Sequence, residues 1–151
     1  MSFLSSFDIS ASGMSAQRMR MDIAAENIAN IDTTRTASGG PYRRKDVVLE
    51  NYGSGSFEEA LRNAANGKGF ASRNVGVRVS GIIEDDREFK RVYDPDHPDA
   101  DAQGYVNMPN VDLLKETVDS MSATRSYEAN VTALNAMKLM AQKAQIGRAH
   151  V

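Results

Sequence analysis

The chain has 151 residues, 18 basic and 20 acidic side chains, and a formal net charge of −2. This length suits one architecture with an insertion better than two independent cores, and the balanced charge, without a basic stripe, makes nucleic acid a poor candidate partner. Because the sequence contains no cysteine, disulfides, thiolate metal sites and cysteine nucleophiles are excluded.

The N-terminal segment predicts no cleavable secretory signal, since it lacks both a cationic start and an uninterrupted apolar run. No stretch of the chain is apolar enough over a sufficient length to predict membrane insertion. An export route that recognises an uncleaved N-terminal segment would give the same sequence pattern. The cellular location therefore depends on the class of protein to which the chain belongs.

A long amphipathic helix is predicted from Ile9 to Ile31, with Ser10 or Ser12 as its N-cap. Steps of three and four residues along it indicate a packing seam. The seam positions are Ala11, Met14, Arg18, Met21, Ala25 and Ile28. Further alanines widen the apolar face, which favours more than one partner helix.

The middle of the chain predicts a small β-rich insertion with mobile loops, because short runs alternate between apolar and polar residues. The predicted elements are a strand over Tyr42–Leu49, a short helix over 57–66, and a hairpin whose strands, 75–83 and 89–93, meet at a turn containing Asp85 and Asp86.

A second long helix is predicted after Pro109, with Asn110 as its N-cap. Its apolar stripe begins with Leu114, Val118 and Met121 and is interrupted by a polar patch around residues 124–125. Beyond the patch the stripe continues through Tyr127, Val131, Leu134, Met137, Met140, Ala141 and Ala144. A helix pair alone leaves much of this apolar surface exposed, so we expect the termini to be poorly ordered or self-associating until neighbouring helices cover them.

Three charged segments suggest alternatives to a structural role. The acidic loop from Asp94 to Asp101, with His97, echoes a calcium loop, but Asn110 stands where such a loop needs a bidentate glutamate. The favoured interpretation is a proline-fixed turn whose carboxylates bond backbone amides or basic groups on a neighbour.

The second segment, residues 43–45, is the only compact basic run, and it predicts a solvated strand edge or a contact with an acidic patch on an adjacent subunit. The third, Glu84 to Asp86, could form a glycosidase-type carboxylate pair, although a solvated turn is favoured. We therefore assign no catalytic residue, no cofactor and no metal ligand.

One segment near the N-terminus, SGMSAQRMRMDIAAENIANIDTT at residues 12–34, resembles the signature of bacterial flagellar axial proteins, the rod, hook and hook-associated subunits. Four further segments resemble the proximal rod members of this family: GPYRRKDVV, GVRVSGIIEDD, RVYDPDHPDADAQGYVNMPNVD and SYEANVTALNAMKLM. The resemblance covers nearly the whole chain, in order.

The resemblance implies a non-enzymatic structural subunit of the flagellar basal body, exported uncleaved through the flagellar type III apparatus and assembled in the periplasm. Implied partners are further copies of the chain and other proximal rod subunits, followed by the basal-body ring and the export gate. The implied assembly interface comprises Met14, Met21, Ile28, Val118, Met121, Tyr127, Val131 and Leu134. Any one of these residues could instead be buried within a single molecule. A soluble helical adaptor or export chaperone is the alternative function, but it would not need a broad seam at both chain ends.

The predicted organisation is an α+β fold in which residues 1–34 and 109–145 pair, in the manner of a coiled coil, as a terminal helical assembly domain. Residues 35–108 form the insertion, with a variable segment at 53–72. The last six residues, IGRAHV, match the translation of a common sequencing adapter, so we expect 146–151 to be a non-native ending.

Overall fold

The computed structural model describes residues 3–52, 61, 62, 65 and 76–148. In chain order its elements are α1 (Phe3–Ala29), β1 (Lys45–Tyr52), β2 (Gly76–Glu84), β3 (Lys90–Tyr93), β4 (Tyr105–Met108) and α2 (Leu113–Arg148). Two long helices flank a set of short strands, which confirms the predicted α+β class.

The helices have 27 and 36 residues, which corresponds to lengths of about 40 and 54 Å. Within the part of the chain that the structure describes, neither helix is long and apolar enough to cross a membrane.

The chain divides into two compact units, and both long helices contribute to each of them. The first unit contains Met1–Gln17, Leu49–Ser80 and Arg125–Val151, and the second contains Arg18–Val48 and Gly81–Thr124.

In the first unit, α1 passes close to both α2 and the start of β2. A Cβ atom on Gly13 would lie 3.2 Å from the side-chain amide of Asn130, so a glycine permits the close approach of the helices. At β2 the Ser12 hydroxyl accepts a hydrogen bond from the Val77 N–H at 3.1 Å. A Cβ atom on Gly76 would stand 2.6 Å from that hydroxyl, which leaves space there for glycine alone.

In the second unit, the buried residues include as many polar as large apolar side chains. The buried set is Ile23, Ala24, Asn27, Tyr42, Arg44, Val106, Pro109, Glu116 and Ala123. Such a small apolar core buries little surface, so much of the unit's organisation depends on its polar contacts.

The predicted pairing of 75–83 with 89–93 as a hairpin is wrong. Strand β2 pairs with β1, and β3 pairs antiparallel with β4, with Tyr93 opposite Tyr105. The segment after β2 is held instead by Asn110, whose amide donates to the Asp85 and Arg87 carbonyls at 3.0 and 3.2 Å. Alternation of apolar residues predicts that a strand forms but carries little information about which strand lies beside it.

The predicted helix starts also need correction. Helix α1 begins at Phe3, before Ile9, and Ser12 lies inside it, donating to the Ile9 carbonyl at 2.8 Å. Helix α2 is capped by Asp112, whose carboxylate accepts the Leu114 N–H at 2.9 Å, and not by Asn110. An aspartate is favoured at this position because its charge also complements the positive end of the helix dipole.

The strand predicted over 42–49 is present as β1, shifted toward the C-terminus. The short helix predicted over 57–66 and the variable segment 53–72 lie outside the described residues, except for Leu61, Arg62 and Ala65, which are helical.

Candidate functional site

A buried ion pair joins Arg44, the residue directly before β1, to α2 in the second unit. Glu116 is only 1% exposed, and its carboxylate accepts hydrogen bonds from Arg44 Nε at 2.5 Å and from Asn27 Nδ2 at 2.9 Å. Arg44 also contacts Asp46 at 3.0 Å and Asp119 at 3.4 Å. Burial alone would lower the pKa of Arg44, but the carboxylates of Glu116 and then Asp46 raise it above its ordinary value. Both charges are thus compensated, which burial of an ion requires.

Asn27 extends this network into α1 by using every hydrogen-bonding position of its amide. Its oxygen accepts from the Tyr42 hydroxyl at 3.0 Å and from the Lys45 N–H at 2.9 Å. Its nitrogen donates to the Lys45 carbonyl and to Glu116, each at 2.9 Å. Burial, followed by the nearby charges of Glu26 and Glu116, raises the pKa of Tyr42 to about 12, so the phenol remains a donor.

The basic run at 43–45 is therefore not a solvated strand edge, and that prediction is wrong. Arg44 is buried, Arg43 lies 4.5 Å above the Phe89 ring, and Lys45 pairs with Glu26 at 2.6 Å. The acidic partners that we expected on a neighbour are supplied by α1 and α2 of the same chain. Because these paired residues lie far apart in the sequence, no local sequence pattern indicates that their charges compensate each other.

Sequence reasoning missed Asn27 and Glu116, the two polar residues at the centre of the network. A signal for Asn27 was present, because it follows Ile23 and Ala24 by one helical turn and so shares their buried side of α1. The signal for Glu116 was weaker, since a glutamate in the first turn of a helix is ordinarily explained by the helix dipole.

In the first turns of α2, the side that faces the interior carries the polar Glu116, and the side that faces solvent is apolar. Glu116 and Ala123 are buried, whereas Leu114 is 74% exposed, Val118 56% and Met121 52%. At about 100° per residue, the three apolar positions lie opposite Glu116; we call them the helix ridge. A helix that packs only within its own subunit shows the reverse pattern.

The structure separates the predicted interface residues into two groups. Val118 and Met121 are exposed, and the others are half-buried: Met14, Met21, Ile28, Tyr127, Val131 and Leu134. The polar patch at 124–125 marks the point where the apolar stripe of α2 changes sides. Tyr127 lies one turn beyond the buried Ala123 and therefore continues the inward side, not the ridge.

The acidic loop between β3 and β4 uses its carboxylates to organise its own backbone. Asp101 accepts from the N–H groups of Gln103 and Tyr105 at 2.8 and 2.9 Å, and these bonds, Tyr105 first, lower its pKa. Asp99 accepts from the Thr34 hydroxyl at 2.8 Å. The interpretation as a turn with carboxylates bonded to backbone amides is confirmed at Asp101. Among the described residues, no three or more acidic or histidine side chains are grouped as metal ligands.

Asp85, directly after β2, does not fit the general acid of a glycosidase. Hydrogen bonds from the Arg87 side chain and backbone lower the pKa of Asp85 to about 2. The general acid of a glycosidase needs a raised pKa so that it holds a proton near neutrality. Asp85 is therefore suited to a permanent ion pair with Arg87, at 2.7 Å, and not to proton donation.

Comparisons with known proteins agree over most of the chain. Residues 7–35 match the family described as flagella basal body rod protein, and residues 102–145 match the family described as flagellar basal body rod FlgEFG protein C-terminal. Over 148 residues the chain is 53% identical to the flagellar basal-body rod protein FlgC of Bacillus subtilis (strain 168), covering 95% of this chain and 97% of that protein. It is 44% identical over 143 residues to FlgC of Escherichia coli O157:H7, covering 95% and 96%. It is 40% identical over 138 residues to FlgC of Aquifex aeolicus (strain VF5), covering 91% of each.

Proposed function

The chain belongs to the FlgC family of flagellar basal-body rod proteins, as a structural subunit of the proximal rod, and we propose that it builds the rod wall through the apolar faces of its two long helices. The observation that carries this proposal is the helix ridge. Leu114, Val118 and Met121 face solvent while Glu116 is buried on the opposite side. Large apolar side chains gathered on one exposed face mark an interaction surface.

The half-buried residues of the predicted interface would contribute to assembly through the part of their surface that is still exposed. Met21 is partly covered within its own unit, where its sulfur accepts a hydrogen bond from the Thr124 hydroxyl at 3.3 Å. We propose that neighbouring helices cover the surface that remains open on Met14, Met21, Ile28, Tyr127, Val131 and Leu134. Segments 1–34 and 109–145 would then act together as the assembly domain, with 35–108 as the insertion and 146–151 as a non-native ending.

The family also supports a setting for this assembly. We propose that the chain is exported without cleavage, assembles in the periplasm, and contacts further copies of itself, other proximal rod subunits, the basal-body ring and the export gate. Its role is structural and not enzymatic. The exclusive commitment of its buried carboxylate, Glu116, to Arg44 and Asn27 supports that role.

The test compares self-assembly of the full chain with that of the double variant Val118→Ser, Met121→Ser. We expect wild-type protein to gain helicity and sediment as fibres when its concentration rises. Each substitution removes a half-exposed apolar side chain worth roughly 1 kcal/mol of burial, so the critical concentration should rise about tenfold to thirtyfold.

A matched control carries Glu128→Gln and Lys138→Gln, two exposed positions of the same helix, and should assemble like the wild type. Both double variants should keep the wild-type free energy of unfolding within about 0.5 kcal/mol, because the changed side chains are exposed. Equal assembly of all three proteins would contradict the proposal. A stable small heterocomplex without fibres would favour the adaptor or chaperone instead.

A further inference from the structure

The β3–β4 hairpin carries an aromatic surface on its outer side. Val106 points inward and is 2% exposed, whereas Tyr93 is 64% exposed. Side chains alternate across a strand, and Tyr93 is paired with Tyr105, so these two tyrosines share the outer side with Arg91. We call Arg91, Tyr93 and Tyr105 the tyrosine face.

The tyrosine face is held in place before any partner binds. The two rings meet edge to face with centroids 5.2 Å apart, and the Arg91 guanidinium lies 5.0 Å above the Tyr105 ring. Asp101 anchors Arg91 at 3.1 Å. Gly104 has a φ of +78°, and a Cβ atom there would lie 2.9 Å from the Tyr93 ring. Because these side chains are already ordered, binding through them would cost little further entropy. Tyrosine and arginine are also among the residues that contribute most to protein interfaces.

The charges beside the tyrosine face and beside the helix ridge are opposite. Asp94 directly follows Tyr93, and Asp96 lies two residues further on. Both are exposed and form no ion pair with any described residue. Lys115, one turn before Val118, is likewise exposed and has no ion-pair partner in the described part of the chain. Complementary charges at the rim of an apolar contact set its register and exclude other partners.

We propose that the tyrosine face of one copy receives the helix ridge of a second copy, with Asp94 and Asp96 opposite Lys115. This inference rests on the proposed function and names the part of the neighbour that covers the ridge. The two surfaces consist of different residues, so the contact is heterologous. The copy that uses its tyrosine face retains a free ridge, and the copy that uses its ridge retains a free face. A heterologous contact that does not close into a ring propagates as an open helical assembly, which is what a rod requires.

The test uses the absence of cysteine from the sequence. One preparation carries Asn107→Cys, on the outer side of the hairpin, and another carries Thr117→Cys, beside the ridge. The two are mixed at assembling concentration and oxidised. A disulfide needs Cα atoms about 4.4–6.8 Å apart, so a docked pair should cross-link about tenfold more than Asn107→Cys mixed with the exposed control Ala133→Cys.

Charge exchange then tests the register. Lys115→Glu in the ridge copy should lower the cross-linking yield about threefold, since rim ion pairs are individually weak. Asp94→Lys and Asp96→Lys in the hairpin copy should restore the yield.

Cross-linking of Thr117→Cys no greater than that of the control, or failure of the charge exchange to restore it, overturns the inference. If wild-type fibres form under the same conditions, the proposed assembly role survives that result. Fibre formation unaffected by Val118→Ser and Met121→Ser would instead remove the proposed function, and this inference with it.

Discussion

Replacement of Glu116 tests the buried network most directly. Glu116→Ala removes the 2.5 Å hydrogen bond to Arg44 and the 2.9 Å hydrogen bond to Asn27. Breaking a buried ion pair on one side costs about 3–5 kcal/mol, because the remaining charge stays uncompensated. Arg44 keeps Asp46 at 3.0 Å and Asp119 at 3.4 Å, so we expect a loss at the lower end, about 3 kcal/mol.

A second substitution, Glu116→Gln, separates charge from shape. The new amide oxygen can still accept from Arg44, but the new NH2 group would face the NH2 group of Asn27. Asn27 cannot turn its amide over, because its oxygen already accepts from Tyr42 and Lys45. One donor is therefore left without an acceptor, and we expect a loss of about 2 kcal/mol.

The assay is urea unfolding followed by far-ultraviolet circular dichroism, at a protein concentration below self-association. A loss of about 3 kcal/mol corresponds to a fall in melting temperature of roughly 6–12 °C for a chain of this size. Glu128→Gln, an exposed glutamate of the same helix, is the matched control and should change the free energy of unfolding by less than about 0.5 kcal/mol. The double variant Arg44→Met, Glu116→Leu leaves no buried charge unpaired, because Asp46 and Asp119 are solvent-exposed, so it should lose less stability than the sum of its two single variants.

Two results would refute this reasoning. A free energy of unfolding for Glu116→Ala within about 0.5 kcal/mol of the wild type would show that the ion pair does not hold α2 against the residue that precedes β1. Strict additivity in the double variant would show that Arg44 and Glu116 act independently. In either case the outward orientation of the helix ridge would need another cause.

Two further predictions concern the ends of β2 and α2. Acidification from about pH 4 to about pH 2 should remove a stabilising contribution on the order of 1 kcal/mol or less, because the pKa of Asp85 falls from its ordinary 3.8 to about 2 in the folded chain. The Asp85→Asn variant should not show this loss in an acid titration of its stability, and an Asp85→Asn profile identical to that of the wild type would refute the prediction. Asp112→Ala should cost about 1 kcal/mol through loss of a helix cap, and Asn110→Ala should cost about 2 kcal/mol because its amide contacts three backbone groups. Urea unfolding measures both losses, and an Asp112→Ala variant as stable as the wild type would contradict the assignment of Asp112 as the cap.

Local periodicity was enough to predict the helices and most of the strands. A helix depends on neighbours three and four residues apart, and a strand on alternation, so Met14, Met21 and Val77 indicate their own elements without reference to the rest of the chain. The resemblance carried by residues 12–34 and four further segments also led to the correct family.

Three-dimensional packing decided the features that depend on distant residues. Arg44 belongs to a basic run that predicts a solvated edge, and only the approach of Glu116 makes its burial possible. The strands that pair with β2 and β3 were likewise not predictable from the sequence, because backbone hydrogen bonds between strands do not depend on side-chain identity.

The direction of the ridge depends on the same packing. The spacing of Leu114, Val118 and Met121 predicts that one side of the helix is apolar. It does not predict whether that side is buried within the subunit or exposed to solvent. The ion pair at Glu116 draws the opposite side of α2 inward, and this leaves the apolar side turned toward solvent. The spacing of the amino acids therefore determined which side of α2 is apolar. The tertiary contacts determined that this side is exposed to solvent, because the burial of a side chain depends on the packing of the whole chain and not on its local segment.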